Sequence, residues 1–141
     1  SGECTRPLSV ICADETDYYT NNKFANFPVV NVTQKQASEY CDWAGMELMT
    51  VSDWNIAVGE ILQSGDNYDR KNNLPNENES TNLLGNVWEW TADALDGGYV
   101  ILGGSWKTSF SDIELKRSGI LPPGAYGEDV GFRCVRRVKI R

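Results

Sequence analysis

The feature that most constrains this chain is a glutamate that lies between two tryptophans. Residues 82–90 read Asn-Leu-Leu-Gly-Asn-Val-Trp-Glu-Trp, so that Glu89 interrupts an otherwise apolar run. A buried carboxylate requires a cation or a row of hydrogen-bond donors, because an unpaired charge is costly to remove from water. Calcium, which takes oxygen ligands, is one candidate partner, and a strand with Glu89 facing solvent is the alternative. The oxygens available to calcium are the side chains of Asn82 and Glu89 and the backbone carbonyls of Gly85 and Val87.

The composition is that of a single globular domain with an acidic body. The 141 residues are 40% apolar and 23% charged, which suffices for one sizeable core but not for two. The net charge is −7, although the segment from Arg133 to Arg141 is basic. An acidic body repels phosphate backbones, so we predict no nucleic-acid partner and interpret the basic end as a last strand with a solvated terminus. No apolar run approaches the roughly 20 residues that cross a bilayer, and we predict no membrane span.

The residue types that are missing exclude several kinds of active site. Histidine is absent, which excludes histidine-dependent nucleophilic catalysis and histidine-ligated zinc. The cysteines have no C-x-x-C spacing, so a zinc or thioredoxin-type site is not expected. Their even number favours two disulfides and an oxidising compartment. The four cysteines are Cys4, Cys12, Cys41 and Cys134.

The first part of the chain is predicted to contain an irregular arm, a short strand and a helix. Residues 1–27 show no sustained period and form the arm, which precedes a domain at 28–141. A strand at 28–32 leads into a helix that begins after Thr33, with Gln36 at the capping-box spacing. Gly45 ends this helix. Its apolar face carries Ala37, Tyr40, Cys41 and Ala44.

A second helix and a long polar loop are predicted next. The helix begins after Thr50, with Asp53 three residues later, again in capping-box spacing. The loop covers residues 63–81, and its acids and amides could supply oxygens to a cation, although a solvated loop is the commoner meaning of such a segment. The apolar face of the helix consists of Trp54, Ala57, Val58, Ile61 and Leu62.

The C-terminal part is predicted to contain two strands around an irregular excursion. A buried strand covers 99–102, after a turn at residues 96–98. The glycine pair at 103–104, directly before a tryptophan, indicates a bulge or a close backbone approach. Residues 107–129 are predicted to be irregular. An alternating strand covers 130–136 and places Phe132 and Cys134 on one side.

Several short motifs, taken together and in order, resemble the formylglycine-generating enzyme (sulfatase-modifying factor) family. Each motif is weak alone, but their order and distances over residues 28–136 are those of the family. The motifs are Pro28 to Val32, Tyr40-Cys41-x-Trp43-Ala44-Gly45 with Leu48, Thr50 and Trp54, Gly85 to Trp90, Gly103-Gly104-Ser105-Trp106, and Gly131-Phe132-Arg133.

The resemblance implies a C-type-lectin-like fold of the α+β class, with two helices, a small twisted antiparallel sheet and much irregular loop. It implies a disulfide between Cys41 and Cys134, which leaves Cys4 and Cys12 to each other or free. It also implies structural calcium beside the tryptophan-rich motif, which makes calcium the preferred partner of Glu89. The ligands carried over are Asn82, the carbonyls of Gly85 and Val87, and Glu89.

Departures from the family bear on activity. The family's oxidases use a cysteine pair shortly after the Gly-Gly-Ser-aromatic motif to bind copper, and this chain has Thr108 and Ile113 there. A hydroxyl and an alkyl group cannot act as thiolate ligands, so we predict no copper and no enzymatic activity. The related sulfoxide synthases need histidines for iron, and this chain has none.

The resemblance therefore implies a non-catalytic binding domain, extracellular at a cell or virion surface, with a protein or glycan ligand. Non-catalytic relatives include the variable proteins of diversity-generating retroelements, found on phage tails and on bacterial or archaeal surfaces. Their diversified site lies between Gly-Gly-Ser-Trp and Gly-Phe-Arg. The apolar members of the matching surface here either anchor a ligand or belong to the core. That surface comprises Lys107, Thr108, Ser109, Phe110, Ser111, Asp112, Ile113, Tyr126 and Glu128.

Two other functions stay open at this point. A degenerate or divergent enzyme would have to use carboxylates such as Asp93, Asp96, Asp112 and Glu114, whose spacing defines no catalytic pair. A structural domain of a surface assembly would make its contacts through the N-terminal arm or the basic tail.

Overall fold

The computed structural model describes residues 28–64, 84–108 and 118–138, and for 60–64 only the backbone. The predicted arm at 1–27, with Cys4 and Cys12, and nearly all of the predicted loop at 63–81 lie outside these ranges. Within them the chain forms two helices and six strands. These are α1 (Gln34–Trp43), β1 (Glu47–Leu48), α2 (Val51–Ser64), β2 (Trp88–Leu95), β3 (Gly98–Leu102), β4 (Ser118–Leu121), β5 (Val130–Gly131) and β6 (Cys134–Val135).

The strands form two sheets. The larger has the order β4-β3-β2-β5, and the smaller pairs β1 with β6. All pairs are antiparallel except β2 and β5, which are parallel. The predicted α+β class is confirmed, and the predicted antiparallel sheet is corrected in one pair, since β2 and β5 are parallel. A parallel pair requires a long connection, and β5 joins β2 only after the chain has passed through β3 and β4.

Both helices begin with the caps that the sequence indicates. The Thr33 hydroxyl accepts from the backbone N–H of Gln36, whose side chain accepts from the Thr33 N–H. At α2 the Thr50 N–H donates to the Asp53 carboxylate at 2.9 Å, and the Asp53 N–H donates to the Thr50 hydroxyl. Each cap satisfies backbone donors that the first helical turn leaves unpaired. In the described part of the chain neither helix is long and apolar enough to cross a membrane.

The two helices pack on opposite faces of the larger sheet. Successive residues of a strand point to opposite faces, and β3 divides its side chains in this way. One cluster contains Met49, Trp54, Val58, Leu84, Val100 and Leu102. The other contains Val32, Ala37, Cys41, Leu48, Trp90, Ile101 and Val130.

The disulfide that the resemblance implied is present. It joins Cys41 in α1 to Cys134 in β6 across a sequence separation of 93 residues. Closing a loop of this size stabilises the fold by about 4.6 kcal/mol in the chain-entropy account. The bond holds β6, and the arginine that precedes it, against the first helix.

Three predictions about strands are wrong. Residues 28–32 form no strand, since Asn31 has φ 57°, outside the extended region, and its N–H donates to the Gly127 carbonyl. The region 107–129 is not wholly irregular, because it contains β4. The predicted strand at 130–136 is split into β5 and β6, which belong to different sheets.

The segment 28–30 still lies against the sheet. A Cβ atom placed on Gly131 would lie 2.6 Å from the Val29 carbonyl oxygen, so only glycine permits this close approach. Val30 and Val32 are buried there, and the Trp90 indole donates to the Val32 carbonyl at 2.9 Å.

Candidate functional site

Glu89 lies in β2 with its side chain only 6% exposed, so the solvent-facing alternative is wrong. The cation that meets it belongs to the chain itself. Arg133 donates from Nε to the Glu89 Oε1 atom at 2.7 Å, and Arg133 Nη2 lies 2.6 Å from the same oxygen. The second oxygen, Oε2, is buried and has no hydrogen-bond partner among the described residues. Arg133 therefore engages only one of the two carboxylate oxygens among the contacts that the described residues make.

Burial dominates the electrostatics of this carboxyl group. Desolvation raises the pKa of Glu89 from 4.5 to about 7, although the charge and the hydrogen bond of Arg133 act in the opposite direction. Removing a carboxylate from water destabilises its charged form, and a single guanidinium on one oxygen compensates only in part. A further positive charge at Oε2 would favour the ionised form.

The turn before Glu89 is hydrogen-bonded to the two loops that follow β3 and precede β5. The Gly85 N–H donates to the Gly103 carbonyl at 2.7 Å, and the Trp106 N–H donates to the Asn86 carbonyl at 2.8 Å. On the other side, the Trp88 N–H donates to the Asp129 carbonyl at 2.7 Å. The tryptophan-rich motif thus holds both ends of the surface predicted to bind a ligand.

The predicted calcium ligands are only partly described. Gly85, Val87 and Glu89 lie in one turn and the first residues of β2, whereas Asn82 lies outside the described residues. Within 28–64, 84–108 and 118–138, no three His, Cys, Asp or Glu side chains form a metal-binding group. A calcium ion here would instead depend on carbonyl and amide oxygens around one carboxylate, which is an acceptable donor set for this ion. The buried Oε2 of Glu89 fits such a role.

Four of the predicted ligand-binding residues are described, and two of them meet. Lys107 Nζ lies 2.6 Å from the Glu128 carboxylate, so this ion pair connects the loop after β3 to the loop before β5. Tyr126 is 55% exposed, as a ligand-contacting aromatic would be. The Thr108 hydroxyl accepts from the Ser105 N–H at 3.1 Å. Ser109, Phe110, Ser111, Asp112 and Ile113 lie outside the described residues.

A partly buried hydrogen bond between Ser105 and Asp129 was not indicated by the sequence. The Ser105 hydroxyl donates to the Asp129 carboxylate at 2.6 Å, and Ser105 is fully buried. The Lys107 N–H donates to the same hydroxyl oxygen at 3.2 Å. Ser105 belongs to a motif quoted above, but its partner is 24 residues away in sequence, so no local pattern connects them.

Trp106 is a second residue that the sequence analysis left out of the surface. It is 37% exposed, and the Lys107 ammonium lies 5.1 Å from the centre of its ring. Its position directly before Lys107 could have suggested this contact. Trp106, Lys107, Tyr126 and Glu128 are called the Lys107 surface below.

The carboxylates proposed for a divergent enzyme are not assembled into a described site. Asp93 accepts from the Val51 N–H at 2.7 Å, so it caps the start of α2. Asp96 lies in the turn between β2 and β3 with φ 49°. Asp112 and Glu114 lie outside the described residues.

Comparison with known families agrees with the motifs. The family described as "Sulfatase-modifying factor enzyme 1-like domain" matches this chain over residues 9–82 and 72–138. The chain belongs to this family. The resemblance deduced from the short motifs is therefore confirmed. The disulfide that this resemblance implied, between α1 and β6, is present in this sulfatase-modifying factor domain.

The individual relatives that match this chain carry names that state different functions. The inactive C-alpha-formylglycine-generating enzyme 2 of Bos taurus is 26% identical over 149 residues, covering 77% of this chain and 50% of the relative. Its counterpart in Mus musculus is 26% identical over 148 residues, with 76% and 48% covered. These two relatives are consistent with a non-catalytic role for this sulfatase-modifying factor domain.

The serine/threonine-protein kinase pkn1 of Chlamydia caviae is 29% identical over 154 residues, covering 82% of this chain and 25% of the kinase. A match to a quarter of a kinase transfers no kinase activity. The chain spans between a quarter and a half of the length of these relatives.

Proposed function

We propose that this chain is a non-catalytic ligand-binding domain that acts at a cell or virion surface. The observation that carries the proposal is the Lys107 surface, where two loops distant in sequence are held together and expose aromatic side chains. Exposed aromatic residues on a fixed backbone are the usual anchors of protein contacts. The disulfide is consistent with an oxidising compartment, and hence with a secreted or lumenal protein.

The non-catalytic part of the proposal rests on Thr108. It stands where the resemblance puts a copper-binding cysteine, and its hydroxyl is used inside the turn with Ser105. The rival reading, a divergent oxidase, would require a thiolate at this place. Turnover of a cysteine-containing sulfatase peptide in the presence of copper would contradict the proposal.

A C-type-lectin-like arrangement with a calcium ion beside Glu89 completes the proposal. The ion would be held by Glu89, the carbonyls of Gly85 and Val87, and Asn82. Support comes from the buried Glu89 Oε2 atom, which has no hydrogen-bond partner among the described residues. The ion would hold the turn whose backbone bonds position both loops of the Lys107 surface.

The ligand is a protein or a glycan on a partner surface, and a phage-tail or retroelement-diversified binding protein is one form that such a domain could take. Diversification would concern residues 105–133. A nearby reverse transcriptase gene and an imperfect repeat of the DNA that encodes these residues would support it. Their absence would leave a binding domain of unvarying sequence.

Selection from a random peptide display library, together with a glycan array, tests the binding function. We expect binders whose affinity falls at least tenfold with Tyr126→Ala, the loss typical of an anchoring aromatic side chain. Ile56→Ala, which removes a 63% exposed side chain on α2, is the matched control and should leave binding unchanged. Binders that respond equally to both substitutions, or to neither, would disprove the assignment of the surface.

A further inference from the structure

The Lys107 ammonium lies in a site that has the composition of a binding site for a cation. On one side is the ring of Trp106, 5.1 Å from Nζ to its centre. On another is the carboxylate of Glu128, 2.6 Å away. An aromatic face combined with a carboxylate is how proteins bind ammonium and guanidinium groups.

The backbone around this site is held independently of the ammonium group. The Trp106 N–H donates to the Asn86 carbonyl, and the Lys107 N–H donates to the buried Ser105 hydroxyl. Ser105 in turn donates to Asp129, next to Glu128. The Lys107 side chain could therefore leave without loss of the bonds that position the tryptophan and the glutamate.

The ammonium itself is only weakly held. The side chains of Lys107 and Glu128 are 46% and 52% exposed, and ion pairs between exposed groups contribute little because water screens them. A cation of a partner that displaced the Lys107 ammonium would replace this ion pair with Glu128 by an ion pair of the same kind. The hydrogen bond to Glu128 also raises the pKa of Lys107, so a positive charge is favoured at this position.

We infer that Trp106 and Glu128 form a binding site for a lysine or arginine side chain of a protein partner, and that Lys107 occupies this site until the partner displaces it. The inference rests on the proposed function and names the chemistry of its ligand. A basic partner also agrees with the net charge of −7. Lys107 then acts as an internal competitor that weakens binding and selects partners able to replace it.

The test is a titration of the full chain with Nα-acetyl-lysine methylamide, followed through the indole N–H signal of Trp106 by NMR. Replacing Lys107 by methionine keeps the length of the side chain but removes the competing charge. We expect Lys107→Met to bind the probe about fivefold more tightly than the wild type, the loss of one exposed cation contact. The uncharged analogue Nα-acetyl-norleucine methylamide should shift the signal in neither protein.

A second substitution tests the carboxylate. The double variant with Lys107→Met and Glu128→Gln should lose the gain in affinity for the lysine probe, because the ammonium of the probe then has no Glu128 carboxylate to bind. Lys107→Gln offers the same comparison if the methionine variant aggregates. Equal affinity of wild type and Lys107→Met, or equal binding of the neutral analogue, would overturn the inference.

The outcomes separate this inference from the proposed function. If the lysine probe fails but library binders still depend on Tyr126, the surface binds ligands of another chemistry. If the probe behaves as expected but no binder depends on Tyr126, the cation site exists without the wider surface.

Discussion

Two contacts between a guanidinium and a carboxylate place the same chemical groups in opposite surroundings. Arg133 meets Glu89 at 2.6 Å, with the glutamate side chain 6% exposed. Arg137 meets Asp53 at 2.6 Å, with the aspartate side chain 19% and the arginine side chain 50% exposed, and Arg137 also meets Glu47. The pKa of Glu89 rises to about 7, whereas the pKa of Asp53 falls to about 2.

The difference arises both from solvation and from the way in which the arginine meets each carboxylate. The hydrogen bond to Arg137 is the largest effect on Asp53, and two oxygens of that carboxylate are engaged by Arg137 at 2.6 and 2.8 Å. At Glu89 desolvation is the largest effect, and Arg133 engages only Oε1. Arg133 thus compensates only in part for the burial of Glu89, whereas Asp53 is engaged at both oxygens by Arg137 and also accepts from Thr50.

The largest expected effect is that of Arg133→Met at pH 8. It leaves a buried carboxylate without its cation, and we expect a loss of about 3–5 kcal/mol in the free energy of unfolding. Urea denaturation measures this loss. The matched variant Arg137→Met, at the exposed contact, should cost far less, because water screens that ion pair.

The effect of Arg133→Met should depend on pH. Glu89 has a raised pKa in the native state, so its stabilising contribution is fully present below 4.5 and is lost as the pH rises through about 7. At pH 5 the Glu89 carboxyl group is neutral, and Arg133 stabilises it less than it stabilises the charged form. The free energy of unfolding lost in Arg133→Met should therefore be smaller at pH 5 than at pH 8. A loss independent of pH would contradict the desolvation account.

The next effect in size is that of calcium, which would provide the missing charge at Glu89 Oε2. If calcium binds the native state alone, a concentration of 100 times its dissociation constant stabilises by about 2.7 kcal/mol. Thermal unfolding with a chelator and with added calcium measures the change. Glu89→Gln should abolish it, whereas Asp53→Asn, at the exposed contact, should retain it. Identical melting of metal-free wild type in both conditions would remove calcium from the proposal.

The smallest expected effect is a change in the titration of Asp53 at low pH. The pKa of Asp53 is lowered from 3.8 to about 2, so its contribution is present above 3.8 and is lost as the pH falls through about 2. In Arg137→Met the carboxyl should titrate closer to 3.8, as NMR of the Asp53 side chain would record. An unchanged titration would mean that the cap with Thr50, and not Arg137, is the main cause.

Local signals predicted the helices well. The capping residues of α1 and α2 and the burial of Ala37, Cys41 and Trp54 follow from patterns within a few residues. Strand β4 could not be found in this way, because Ser-Gly-Ile-Leu has no alternation and is a strand only through its pairing with β3. Pairing between distant segments leaves no periodic mark in either of them.

The candidate site likewise combines features that local sequence predicts with features that depend on contacts between distant residues. That Glu89 needs a partner follows from a carboxylate between two tryptophans, whereas the choice of Arg133, 44 residues away, does not. The surface residues Lys107 and Glu128 were predicted individually. The contact between them depends on how two loops meet, whereas the contact of Lys107 with Trp106 lies within one loop.

The family, the positions of both helices and the need of a buried Glu89 for a polar or cationic partner can be read from the sequence. Each of these three features depends on the types of residues and on their spacing within short stretches of the sequence. Three features emerge only in the folded chain: Arg133 meets Glu89, the larger sheet is mixed, and the Lys107 ammonium lies between Trp106 and Glu128. Each of these depends on free energies of desolvation and pairing between segments that only the fold brings together.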